Sequence, residues 1–469
     1  MLFRSSDAST PLALTVTQWA RNIGTLAKIK DGYSVNVSQV AANKAYALAQ
    51  DSRVSQLSVK DTAAAISAQL DSLSQLGSRL TSIDQSDAGQ SISVTGRQYA
   101  QQSSTLDKLG QNALLSVRKA MASQATALAA DTRVKQIAIE DSSLNLGGSI
   151  DALQTAVTSS NGASWSIKST TDLNPIAISG SQYLLDTDAL GVLRGRVKLA
   201  VSDLSAISNN LSQVTSDARV SSVSVKDQGS ALQAQLSKLV GMGDKLQRVT
   251  QTDASTLITM SATDWGKYQT TLGKWQSGAQ VALTSVKAGA AAKLASDWRV
   301  KQLSIADTVS QINLNLDALQ SIAPQIQVVA PSVAGTVSVS MNQVDSDAAV
   351  MAKFNSDISI SVKDASAVDA QNLLTQGPAN LAEIHVLDTG SQIVSQLAGL
   401  KNKSMIQSIQ IQDPAIPLAL TATQWASNRT TLAKITGNVQ FAVSDATVAK
   451  LPDLLNDQRR SEEHTSELQ

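Results

Sequence analysis

The chain of 469 residues has no cysteine, two histidines and few aromatics: six Trp, five Tyr and three Phe. Zero Cys excludes disulfide scaffolds, thiolate zinc sites, iron–sulfur clusters and thiol nucleophiles. Neither charge is in excess, since 38 basic side chains face 38 acidic ones. Phosphate contacts need clustered Lys and Arg, so no nucleic-acid partner is expected. No apolar run reaches the roughly 18 residues of a membrane-spanning helix, so no membrane insertion is expected. Met1–Thr10 (MLFRSSDAST) lacks the apolar stretch of a signal peptide. What the chain does have is 42% hydrophobic residues, enough to exclude simple disorder.

The last ten residues stand apart. Residues 460–469 read RSEEHTSELQ, which resembles, codon for codon, the forward translation of a common sequencing adapter. They are set aside as a non-native tail. Without the tail's one Arg and three Glu, 37 basic and 35 acidic side chains remain, with His385 as the sole histidine. The reading frame is expected to continue beyond Arg459.

Internal repeats dominate the rest. Residues 11–29 (PLALTVTQWARNIGTLAKI) and 417–435 (PLALTATQWASNRTTLAKI) agree at 15 of 19 positions. An aromatic recurs at Trp19, Tyr99, Tyr183, Trp265 and Trp425, with Val344 filling the gap, at spacings of 80, 84, 82, 79 and 81. A second motif, D-x-R-V-x-x-[LIV]-[SA]-[VI]-x-D, starts at Asp51, Asp131, Asp217 and Asp297, and a decayed copy (PANLAEIHVLD) ends at Asp388. Two motifs on one period of about 80 replace the three globular domains that length alone suggests. The units run roughly 11–90, 91–174, 175–255, 256–335, 336–416 and a partial 417–459, in a single array over residues 1–459.

Each unit alternates short strands with helices. Segments such as ISV (Ile92–Val94), LSV (Leu115–Val117) and IAI (Ile137–Ile139) alternate apolar and small residues with period two. After Asp61 the period becomes helical, with Ile66, Leu70, Leu73 and Leu76 on one face. Strand and helix alternating every 20–30 residues predict an α/β repeat solenoid. Its long, mainly parallel β-sheet lies on one side and its helices on the other. Both ends cut the array, so terminal coils without polar caps are expected to fray or self-associate.

No catalytic constellation is legible, and no enzyme activity, cofactor or metal is expected. His385 occupies a position that is Ser or Ala in other copies, such as Ser58, Ala138, Ser224 and Ser304. No calcium loop or phosphate-binding fingerprint occurs. Asp61, Asp141, Asp227, Asp307 and Asp388 sit where strand becomes helix, and are read as structural helix caps in preference to metal or catalytic groups. Asp51, Asp131, Asp217 and Asp297 are expected to pair with Arg53, Arg133, Arg219 and Arg299 at turns. The row Trp19, Tyr99, Tyr183, Trp265 and Trp425 could stack sugars, as could the flat face of small residues at strand centres. Packing over the adjacent coil is the favoured reading of the aromatics.

The units LxLTxxQW…TLAKI, SVxVSD and DxRVxxLSVxD…IxxxLDAL resemble repeats of very large, Cys-poor, repetitive bacterial proteins described as secreted or surface-exposed, often adhesin-like. The resemblance covers residues 11–457. It implies an extracellular or cell-surface location and a structural spacer that projects other modules of the same polypeptide. A glycan- or surface-binding solenoid is the alternative, and a polysaccharide-active enzyme a more distant one. The resemblance brings no active-site residues.

Overall fold

The structure, a computed structural model, describes residues 7, 9–30, 32–171, 174–253, 255–276 and 278–459. The tail at 460–469 lies outside the described residues. By internal contacts the chain divides into two compact units, residues 1–227 with 235–250, and residues 228–234 with 251–469.

The period at 91–174 shows the plan of the first unit. Strand Ser91–Thr95 leads into helices Gly96–Gln101 and Ser103–Leu106. Strand Leu114–Ala120 leads to helix Ala125–Ala130, strand Val134–Asp141 to helices Ser143–Gly148 and Ile150–Ser159, and strand Ser164–Ser169 closes the period. The four strands form one sheet in chain order, paired in parallel. Like residues stack across it, as in the row Val94, Val117, Ile137 and Trp165. Burying each such side chain contributes about 1.5–3 kcal/mol, and the row continues from strand to strand.

Among the described residues, the first unit holds three four-stranded sheets, one per period. The second holds a four-stranded, a five-stranded and a two-stranded sheet. The expected α/β fold of strand–helix coils is what each unit contains. Within each unit the parallel strands fall into one sheet per period, and Ile435–Thr436 of the last period adds to the sheet of the copy before it. Single parallel bridges join successive periods at Ile83 with Leu109 and Ile167 with Leu193 in the first unit, and at Val329 with Phe354 in the second. The division arises because the fourth strand is followed within a few residues by the first strand of the next period, which pairs elsewhere. Among the described residues, no helix is long and apolar enough to cross a membrane.

The second strand of each period breaks the period-two rule. Val35, Val37 and Val40 are buried, as are Leu115, Val117 and Ala120, and Leu199, Val201 and Leu204. The spacing of two and then three comes from a bulge. Val37 opposes Leu57 and Val40 opposes Val59, so the second strand holds one extra residue there. At each bulge a non-glycine residue adopts the left-handed conformation: Gln39, Lys119, Asp203, Ser285 and Asp364 at φ between 52° and 57°. The spacing of this row repeats that of the aromatics. Sequence reading missed it; the available signal was a run of polar residues, 20 positions after each aromatic, that breaks the alternation.

The first strand lies at a sheet edge, where unpaired amides need partners. Helix side chains of the preceding coil supply them. Ser93 N–H donates to Ser67 Oγ (2.7 Å), Thr259 N–H to Gln233 Oε1 (2.6 Å), and Ser338 N–H to Asn313 Oδ1 (2.9 Å). The equivalent residue in the second period is Gly147, where a Cβ would lie 2.3 Å from the Ala177 carbonyl oxygen. There the backbone packs directly on the strand.

Candidate functional site

The two repeat motifs meet in space. In the second period, Asp131 Oδ1 accepts from the Arg133 backbone N–H (3.0 Å) and from its Nε (3.0 Å), while Oδ2 accepts from the second guanidinium nitrogen (2.8 Å). The turn of the D-x-R motif thus holds a bidentate, charge-assisted pair. The remaining guanidinium nitrogen donates to the Leu106 carbonyl at a helix end (2.9 Å). Tyr99, on the helix before, donates its hydroxyl to Asp131 Oδ2 (3.1 Å). Three residues from two elements form a clasp between successive coils.

The other copies vary the aromatic and keep the arrangement. Tyr183 donates to Asp217 Oδ2 (3.2 Å), and Arg219 donates to the Leu190 carbonyl (2.8 Å). Trp425 Nε1 donates to Asp457 Oδ2 (3.0 Å), and Arg459 to the Leu432 carbonyl (2.7 Å). Where Trp cannot reach the carboxylate, the guanidinium covers its face, with Arg53 5.1 Å from the Trp19 ring centre and Arg299 4.7 Å from that of Trp265. In the first copy Tyr33 relays, accepting from Arg53 (3.0 Å) and donating to the Leu26 carbonyl (2.9 Å).

These contacts set the titration. Hydrogen bonds from the Arg53 side chain hold the Asp51 carboxyl below the usual carboxylate range. Burial pushes Asp131 up, but the bonds from Arg133 outweigh it and the net direction is down. Burial, and then the Asp131 charge, push the Tyr99 hydroxyl up to about 12.

The predicted aromatic row therefore faces inward. Trp19, Tyr183, Trp265 and Trp425 are only 2–5% exposed, and Tyr99 is half-buried. Their side chains take part in the clasp. The expected Asp–Arg pairs form as the sequence suggests, and they also join two elements rather than a turn alone.

The strand-end carboxylates reach in two directions. Asp61 Oδ1 accepts from Thr62 N–H (2.8 Å), yet Oδ2 accepts from Ala42 N–H (2.9 Å), the first residue of the preceding coil's helix. Asp141 takes Ala122 N–H (3.0 Å), Asp227 takes Ala206 N–H (2.8 Å), Asp307 takes Ala288 N–H (3.0 Å) and Asp388 takes Ala367 N–H (2.9 Å). The helix that follows is capped by the next residue, through the hydroxyl of Thr62, Ser142, Thr308 or Thr389. The sequence showed a carboxylate at a helix start; only the coil stacking assigns it to the earlier helix.

Carboxyl pairs bridge neighbouring helices in two copies. Asp186 is 6% exposed, and among the described residues its Oδ2 has no hydrogen-bond partner. Burial, and then the neighbouring Asp151 carboxyl, push its pKa up to about 6. Asp347 is raised in the same way, by burial and by Asp317. Equivalent positions in other copies hold the neutral amides Gln102 and Asn428.

His385 sits on the third strand of its copy, half-exposed, with Nδ1 2.7 Å from Ser408 Oγ. Among the described residues, no group of three His, Asp or Glu side chains is arranged to hold a metal ion. No family model, curated protein or solved structure matches the chain.

Proposed function

We propose that the chain is a non-catalytic structural spacer of a large secreted or cell-surface bacterial protein, projecting adhesive or other modules of the same polypeptide. The observation that carries this reading is the clasp. The side chains that recur most regularly, the aromatics and the Asp–Arg pairs, bind one another across successive coils. A repeat built to bind a ligand would instead turn its recurring side chains outward. The cross-coil caps point the same way, since they tie each helix start to the following strand. Stability then sums over neighbouring coils, as a spacer requires.

A glycan array probed with the intact chain tests the reading. A spacer gives no saturable signal on any glycan. Saturable binding that survives moderate salt would favour the glycan-binding alternative, whose remaining surface is the small-residue strand face.

A further inference from the structure

The clasp is missing from one copy, and the gap it leaves has the form of a binding site. In the copy at 336–416, Val344 stands where the aromatic belongs, Pro378 where the Asp belongs and Asn380 where the Arg belongs. All three substitutions fall in one place. The wall that the clasp packs against is retained. Met351 takes the place of Leu106 and Leu190 at the helix end, and Phe354 also lines the cleft. Asn380 lines the cleft and its amide donates to the Asn355 carbonyl (3.0 Å).

The result is a cleft of about 560 Å³ lined by Val344, Asp345, Met351, Phe354 and Pro378, among others. The same place holds about 280 Å³ beside Tyr183 and Arg219, and about 380 Å³ beside Trp275 and Arg299. The enlarged volume falls in the usual range for small-molecule sites, roughly 300–1,000 Å³.

The intact copies show what the cleft accommodates. The clasp brings an aromatic side chain and the Asp–Arg pair together in each, with the guanidinium over the ring at Trp19 and Trp265. In three of them the guanidinium reaches the helix-end carbonyl. The carbonyl at Met351 accepts from Phe354 N–H (3.1 Å) and receives no guanidinium. The lining carries one carboxylate, Asp345, and no Lys or Arg. We propose that the vacated clasp of this copy binds a small flat aromatic cation, its ring on the shelf of Val344, Met351 and Phe354 and its N–H groups toward the Met351 carbonyl and Asp345.

The test is a titration of the intact chain with phenylguanidinium, followed through the methionine methyl NMR signals. The Met351 signal is assigned with Met351→Leu. The expected result is a saturable shift of that signal, with no comparable shift from guanidinium at equal concentration. Val344→Trp refills the shelf and should abolish the shift. Should that variant not fold, Asp345→Asn serves in its place, with an expected affinity loss of about tenfold, one lost charged contact. An unmoved Met351 signal at saturating probe, an equal response to guanidinium, or unchanged affinity in the folded variants overturns the proposal.

Discussion

At the scale of single residues, the bulge row shows strain kept in place by packing. Left-handed backbone costs a non-glycine residue about 1–2 kcal/mol. Asp203 and Asp364 reduce that cost, because short polar side chains tolerate the conformation; Lys119 does not. Lys119→Gly is expected to raise stability by about 0.5–1 kcal/mol in chemical denaturation, the relief exceeding glycine's own entropy cost. Lys119→Val should lower it by more than that gain. A second residue-scale prediction concerns Asp186. Its folded pKa, about 6, lies above the ordinary carboxylate value of 3.8. The bound proton therefore adds stability that is complete below about pH 3.8 and is lost as pH rises through 6. Asp186→Asn, the solution seen at Asn428, should flatten stability across that window and raise it at pH 7. Melting temperatures from pH 4 to pH 7 check this, and a parallel fall in wild type and variant would refute it.

At the scale of elements, the cross-coil caps make a directional statement. Asp141→Ala removes the acceptor of Ala122 N–H, and with it the contacts to Ser142 N–H and Asn145 Nδ2, but leaves the Ser142 hydroxyl cap of the following helix in place. Amide exchange should accelerate in helix Ala125–Ala130 and stay slow in Ser143–Gly148, with a loss of about 1–2 kcal/mol. Equal acceleration in both would show that the cross-coil contact is not the dominant one. Sequence carried the strands and helices here because two periodicities, two and 3.6, alternate within an 80-residue repeat that confirms itself six times. It also placed an acid at the end of each third strand and, except at Val344, an aromatic in the first helix of each period. It did not show that Tyr99 touches Asp131, 32 residues on, because that contact depends on how coils stack. The bulge stayed hidden for a related reason. Its residues share no type, only a backbone conformation.

At the scale of the whole molecule, unevenness among the copies becomes a stability profile. Nearest-neighbour coupling makes a coil as stable as its two interfaces. Within the second unit, the copy at 336–416 lacks the clasp that Trp265 and Arg299 form in the copy before it. Hydrogen exchange should be faster at residues 341–354 than at 262–275, the equivalent stretch. Trp265→Ala should bring the two stretches closer, at a cost of about 3–5 kcal/mol for the lost ring.

The bulge also bears on how a chain of near-identical coils finds its own partners. The second strand buries its first, third and sixth residues (Val35, Val37, Val40), and the third strand buries its first, fourth and sixth (Val54, Leu57, Val59). The two uneven scales match only when the extra residue of one faces the shortened interval of the other, as at Val37 with Leu57 and Val40 with Val59. A slip of one residue would set Val37 and Val40 against positions other than Leu57 and Val59, so the paired irregularities lock the register of the second strand on the third.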